Sequence, residues 1–283
     1  MLAVLPLAGC RFTTRRLPKP IMPATVQTAT PQQLVDQMND RWDALKSLEV
    51  WAQIQFTQTK TQEGVAKDYT TIPAIILIRK PEDLRVLGQW PVVHTRMFDM
   101  VSNGQDFTLY EPTRDLAYEG SNTVTHKSAN DVENLRPGFF LDSLVVRGMP
   151  PQDEYMVTAD TDTIEDPKRK HLLEIPEYIL SIMRRKPNSQ ELQPIRVVHF
   201  HRDDMLPYEQ DLYDEQGNLQ TEVTYGRYAE YGDNMFPSTV TIKQPLLGFQ
   251  AVLTMQKVVE NVELKNNQFE LQIPPDTKIQ HLQ

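Results

Sequence analysis

The sharpest string of reactive side chains is His199-Phe200-His201-Arg202-Asp203-Asp204. Alternate side chains of a strand share a face, so His199 and His201 would point the same way, as metal ligands do. A hydrolytic site of the His-x-His-x-Asp-His kind needs a further histidine, and Asp204 stands in its place. His94, His126, His171 and His281 offer no matching spacing, so the string reads as a strand whose exposed face carries two imidazoles. Asp160, Asp162, Glu165 and Asp166 cluster around Thr161 and Thr163 but lack the central glycine and closing glutamate of a calcium loop. The chain has no Gly-x-Ser-x-Gly elbow, no phosphate loop and no dinucleotide glycine fingerprint. The expectation is a protein that is not an enzyme and holds no cofactor or metal.

Chemistry of another kind is written at Cys10, the one cysteine of the chain. It ends Leu7-Ala8-Gly9-Cys10, behind the apolar run from Leu2 to Pro6. This resembles the bacterial lipobox that closes a lipoprotein signal peptide. Small residues at Ala8 and Gly9 admit the peptidase, and the Cys10 thiol is the nucleophile for diacylglyceryl transfer. Cleavage would leave Cys10 as the first residue of the mature chain. Several acyl chains, at about 0.8 kcal/mol per buried CH₂, hold a protein on a membrane where a single chain does not. Such signals open with basic residues and none precedes Cys10, so Met1 is expected to lie inside the signal. In some enteric bacteria an aspartate after the cysteine retains a lipoprotein at the inner membrane. Arg11 is no such signal, and the expected location is the periplasmic leaflet of the outer membrane.

Composition narrows the rest. The chain has 283 residues, with 29 Lys+Arg against 38 Asp+Glu and a net charge of −9. An acidic chain is a poor nucleic-acid binder, because counterion release needs a basic face. It is equally unsuited to anionic lipid by charge alone. A lone cysteine rules out an internal disulfide and any multi-cysteine metal site. The apolar runs at Leu2–Gly9 and Pro73–Ile78 fall short of the roughly 20 residues of a membrane-spanning helix. We divide the chain into a signal remnant (1–9), a lipidated cysteine with a Pro-rich tether (10–29) and one folded domain (30–283). Pro18, Pro20 and Pro23 make the tether extended and semi-stiff.

The domain opens on Thr30-Pro31-Gln32-Gln33, a capping box with proline at the first helical position. Leu34, Val35, Met38, Trp42, Leu45 and Leu48 then recur at helical spacing. The period next changes to two: Leu48, Val50, Ala52, Ile54 and Phe56 alternate with polar residues, which predicts a half-buried strand. Strands are expected at Tyr69–Arg79, Asp83–Gly88, Thr95–Ser102, Gln105–Tyr110 and Leu116–Glu119, with a turn at Ser102-Asn103-Gly104. Ala129–Val146 should hold short helical pieces. Further strands are expected at Tyr155–Ala159, Lys170–Ile175, Ile195–His201, Gln210–Tyr213, Gln220–Tyr231, Phe236–Gln244, Gly248–Val262 and Phe269–Ile273, with Tyr178–Arg184 ambiguous. Short strands joined by tight turns mean an antiparallel meander rather than βαβ units.

The order of lipobox, tether, amphipathic helix and strand Ser47–Ala52 is similar to that of the LolA/LolB-like periplasmic lipoprotein carriers, in particular their lipid-anchored lipoprotein-sorting-type members. The most specific stretches are Arg79-Lys80-Pro81…Leu84-Arg85 and Asn103-Gly104…Phe107…Leu109-Tyr110, with Phe236-Pro237-Ser238 and Gln268–Pro275 nearer the C-terminus. The resemblance implies an α+β, mostly β fold. It would be an incomplete, unclosed antiparallel β-barrel, its concave face covered by the N-terminal helix and a central helical insert. It also implies an apolar cavity for the acyl chains of lipoproteins or lipids. The residues that would line it are Leu34, Met38, Trp42, Leu45, Val50, Ile54, Phe56, Leu84 and Val86, and they are equally compatible with a packed core. A protruding apolar loop for transfer has its candidate in Gln89–Val93, led by Trp90 and Val92. The expected partners are therefore acyl chains, the membrane through the N-terminal anchor, and other envelope proteins. The same fold with a filled core would instead make a sensor or scaffold for such a protein.

Overall fold

The computed structural model describes residues 20–22, 25–60, 65–122, 136–165 and 172–282. Cys10, and with it the lipobox and most of the tether, lies outside the described residues. Helix α1 (Pro31–Ala44) begins as its sequence dictates: Thr30 Oγ1 accepts from the Gln33 amide at 3.2 Å, and Gln33 Oε1 accepts from the Thr30 amide at 2.8 Å. Then come strands β1 (Ser47–Lys60), β2 (Val65–Asp68), β3 (Ile72–Arg79), β4 (Asp83–Gln89), β5 (Arg96–Ser102), β6 (Asp106–Glu111) and β7 (Leu116–Ser121). Helix α2 (Gly138–Leu144) separates these from β8 (Glu154–Glu165), β9 (Leu172–Arg185), β10 (Leu192–His201), β11 (Pro207–Tyr213) and β12 (Leu219–Tyr225). The chain finishes with β13 (Tyr228–Tyr231), β14 (Asn234–Pro237), β15 (Thr239–Gln244), β16 (Phe249–Glu260) and β17 (Lys278–Leu282).

Apart from the β13–β14 hairpin, these strands form one sheet, ordered β17-β7-β6-β5-β4-β3-β1-β16-β15-β12-β11-β10-β9-β8, with β2 beside β1. Every pairing is antiparallel except β17 on β7. The sheet ends at β17 and β8 without joining them, so the barrel is unclosed and curved, as expected. Strand β1 lies near its middle, pairing Ile54 with Leu253 on one side and Ile72 on the other. The alternation read from the sequence is physical: Leu48, Val50, Ala52 and Ile54 are buried, while Trp51 and Gln55 face solvent. Burial of each such aliphatic side chain contributes about 1.5–3 kcal/mol.

Both helices lie on the face with the buried aliphatics, and the core divides in two. One cluster joins α2 to β1, β3, β4, β12, β15 and β16 through Phe140, Leu141 and Leu144. The other seats Leu34, Val35 and Met38 of α1 on Tyr178, Leu180 and Ile182 of β9 and Val198 and Phe200 of β10.

Several expected elements differ in the structure. Of the expected strand Lys170–Ile175, Lys170 and His171 lie outside the described residues; the rest of it and Tyr178–Arg184 belong to one strand, β9, running through Pro176. Pro176 is tolerated because β9 has there run past its partner β10, whose last pair is His201 with Glu177. The run Gln220–Tyr231 breaks at Gly226, where a Cβ would meet Thr239 Oγ1 at 2.0 Å, and the chain leaves the main sheet for the β13–β14 hairpin. Phe269–Ile273 is not a strand. A 3₁₀ turn at Asn266–Phe269 packs over β3 and β4, where the Arg79 guanidinium lies 4.7 Å from the Phe269 ring centroid. Arg79 and Arg85 donate to the carbonyls of Leu264 and Gln268, so the apolar alternation at Phe269–Ile273 serves a strap over the sheet rather than a ladder.

Candidate functional site

The residues expected to line a cavity fall into both clusters. Leu45, Val50, Ile54, Leu84 and Val86 are buried in the first, with Trp42 and Phe56 packed at its margin. Leu34 and Met38 sit in the second, against β9 and β10. Phe56 stacks in a tilted pair on Phe249 at 5.6 Å, and Phe249 meets Phe139 edge-on at 5.9 Å. Between α1 and β10–β11, a gap lined by Gln37, Met38, Arg41, Val146, Phe200 and Pro207 has a volume of about 20 Å³. That is room for roughly one water, against the roughly 300–1,000 Å³ of ordinary ligand pockets. In this arrangement the helices sit directly on the sheet there.

The cover is attached by polar groups that reach out of an otherwise apolar face. Arg196 shares the inward side of β10 with Val198 and Phe200, and its Nη1 donates to the Arg147 carbonyl at 2.6 Å. Gln210 of β11 is fully buried, and its Nε2 donates to the Asp142 carbonyl at 2.6 Å and to Tyr225 Oη at 2.6 Å. Met149 donates its amide to Asn39 Oδ1 of α1 at 2.8 Å, and Lys80 Nζ reaches the Trp42 carbonyl at 2.5 Å. Burial lowers the pKa of Arg196, and burial pushes the Tyr225 phenol well above its ordinary value. Arg196 Nε, Gln210 Oε1 and Ser143 Oγ are sealed from solvent without a hydrogen-bond partner. None of these was singled out by sequence reasoning. The signal available was phase: Arg196 stands two residues from Val198, on the apolar beat of the strand.

Arg147, just past α2, closes the cover from outside. Its Nη1 donates to Glu82 Oε1 at 2.7 Å and its Nη2 to Glu82 Oε2 at 3.0 Å, and its Nε donates to Asp142. Burial works to lower the Arg147 pKa, but the hydrogen bonds and charges of Glu82 and Asp142 outweigh it and the pKa is raised. Arg147→Met keeps the packing and removes the fork. We expect it to cost about 1–2 kcal/mol, the scale of partly exposed charge-assisted bonds. We also expect faster hydrogen exchange confined to residues 138–149. Exchange that rises equally in β1, β3 and β16 would mean that α2 does not open as a separate unit.

Among the described residues, the loop singled out for transfer holds the two most exposed large apolar side chains. Trp90 is 38% exposed, Val92 90% and Val93 65%. The turn is built rather than loose: the Trp90 amide donates to the Thr95 carbonyl at 2.9 Å and the His94 amide to the Trp90 carbonyl at 3.0 Å. Val92 and His94 are held at φ of 74° and 51°. A β-branched residue in that region is strained, and here the strain presents an isopropyl group to solvent.

This architecture has known counterparts. No family model matches the chain, and no curated protein matches it. Among solved structures, a DUF1329 family protein from Desulfovibrio piger matches with a TM-score of 0.53 at 16% identity, over 85% of this chain and 95% of that one. A LolA superfamily protein from Nitrosomonas europaea matches with a TM-score of 0.51 at 14% identity, over 86% of this chain and 99% of that one. An outer membrane lipoprotein-sorting-type protein domain from Vibrio parahaemolyticus aligns at a TM-score of 0.48 and 14% identity, over 84% of this chain and 94% of that one. At these identities the likeness concerns fold: the chain has a LolA-like fold.

Proposed function

We propose that the protein is a lipid-anchored binding protein of the bacterial cell envelope that holds acyl chains of lipoproteins or lipids between its concave sheet face and its helical cover. It would act in their transport or sorting to the outer membrane. The observation that carries the reading is the construction of that cover. A seven-residue helix closes an apolar sheet face, and side-chain bonds from Gln210, Arg196 and Arg147 fasten it there instead of a second sheet. An acyl chain entering beneath α2 would gain about 25 cal/mol per Å² of buried apolar area. Phe139, Phe140 and Leu141 supply the apolar surface it would exchange with. Cys10, Arg11 and the prolines behind them supply the anchor and stalk of this reading.

The test is native mass spectrometry of the Cys10→Ala chain, exported behind a cleavable secretion signal in place of residues 1–9 and purified from the periplasm. The expected spectrum carries an added mass that leaves on activation and fragments as lipid. The Cys10→Ala chain should fractionate as soluble while the parent chain stays with the membrane. A second reading, a sensor or scaffold for an envelope protein, draws on the 20 Å³ gap beside α1. It is the one to adopt if the chain flies without added mass and takes up no added fatty acid.

A further inference from the structure

The outer face of the sheet, opposite the helices, carries a second constellation. On β10, Val198 and Phe200 face the core, so His199 and His201 face outward together. On β11, Gln210 is buried in the core, so Glu209 and Asp211 also face outward. The pairing of these strands steps from His199 with Glu209 to Phe200 with Pro207, which leaves Tyr208 as an extra residue. Such a bulge re-aims a side chain, and here Tyr208 joins Glu209 on the side of His199. Its ring stacks on His201 at 4.0 Å, and its hydroxyl donates to Glu177 Oε2 on β9.

We propose that His199, Glu209 and Asp211 form a binding site for a divalent transition-metal cation, of which Zn²⁺ is the best match. One ligand atom from each lies within 4.8 Å of the other two. Ligands of tetrahedral zinc, bound at about 2.0–2.1 Å, stand roughly 3.3 Å apart. Closure therefore needs side-chain rotations of an ångström or so, with the backbone already in place on paired strands.

Three further observations separate this cluster from an ordinary acidic patch. His199 Nδ1 lies 2.9 Å from Glu177 Oε2, a carboxylate whose side chain is only 8% exposed. A histidine whose Nδ1 donates to a carboxylate presents an unprotonated Nε2, the usual support of a metal-bound imidazole. Asp211 has Oδ1 sealed from solvent, and the Tyr213 hydroxyl donates to its carboxyl. A carboxylate offers about four lone-pair sites, so that one donor leaves room for a cation. The charge is also one-sided. Glu177, Glu209, Asp211 and Glu222 converge on this face, and Lys243 at its border is taken by Glu222 at 2.5 Å. One imidazole nitrogen and two carboxylate oxygens suit zinc, manganese or iron better than the all-oxygen shells of calcium and magnesium. His201 stacks beside the site on Tyr208.

The site lies across the sheet from the proposed acyl-chain face and does not depend on that reading. The test is titration of the EDTA-stripped full chain, as Cys10→Ala, with ZnCl₂ by calorimetry, and with Co²⁺ by visible absorption. The expected result is one Zn²⁺ per chain and a Co²⁺ spectrum of four- or five-coordinate type. Losing one of three ligands in Asp211→Asn or His199→Ala should weaken binding at least 100-fold. Glu177→Gln should weaken it by about 10–100-fold, the scale of outer-shell substitutions. His281→Ala, on exposed β17, should leave it unchanged. If His199→Ala fails to fold, the near-isosteric Asp211→Asn and the parent Co²⁺ spectrum decide. Binding of less than one equivalent, or binding that survives in Asp211→Asn, would overturn the proposal.

Discussion

Ile54→Glu should unfold the domain. Ile54 is fully buried on β1, flanked by Leu253 on β16 and Ile72 on β3, all within one apolar cluster. Glutamate there forfeits the isoleucine burial, about 1.5–3 kcal/mol. It also strands a carboxyl where the effective penalty for an unpaired charge is several kcal/mol. The expected cost, on the order of 5 kcal/mol or more, is comparable with the whole stability of a domain, about 5–15 kcal/mol. Gln55→Glu, one residue on, faces solvent and should stay within about 0.5 kcal/mol of the parent. Urea unfolding followed by circular dichroism reads both. A parent-like midpoint for Ile54→Glu would mean that the concave face beside β1 is wet and hollow rather than packed. It would also bring that residue back as a cargo contact.

The contrast between Ile54 and Gln55 was legible in the sequence because a strand in an antiparallel sheet writes its two faces as a period of two. The start of α1 was legible for a similar reason: Thr30, Pro31 and Gln33 act within one turn. What the sequence hid were long-range choices. The apolar stripe of α1 names a buried face but not its partner. Leu34 and Met38 chose β9 and β10, more than a hundred residues away, rather than β1. The end of the chain misled because alternation at Phe269, Leu271 and Ile273 is also what a strap needs when it lies over β3 and β4 on arginine stems. Arg196 and Gln210 escaped notice because polar residues on an apolar beat are read as noise until their partners, the carbonyls beside α2, are in view. His199 and His201 were visible as a pair. Glu209 and Asp211 were not, since only the strand pairing and the Tyr208 bulge bring them alongside.

The double substitution Val92→Asn/Val93→Asp should separate stability from membrane contact. Val92 sits at φ 74°, where a β-branched side chain is strained and asparagine is tolerated. Both valines are exposed, so little packing is lost. The variant should therefore be as stable as the parent, or more stable by up to about 1 kcal/mol. Its affinity for bilayers should move the other way. Two valine side chains half inserted into a bilayer are worth about 1.5–3 kcal/mol together, which is roughly 10–100-fold in affinity. Flotation of the Cys10→Ala chain with phosphatidylcholine vesicles measures this without the covalent anchor. Leu246→Asp, at an exposed apolar residue in the turn between β15 and β16, should leave flotation unchanged. A strained residue that weakens the fold, yet whose removal abolishes membrane contact, would mark the Trp90–His94 turn as a part kept for use. Undiminished flotation of the double variant would reduce it to a turn with two exposed valines and leave membrane contact to the anchor at Cys10.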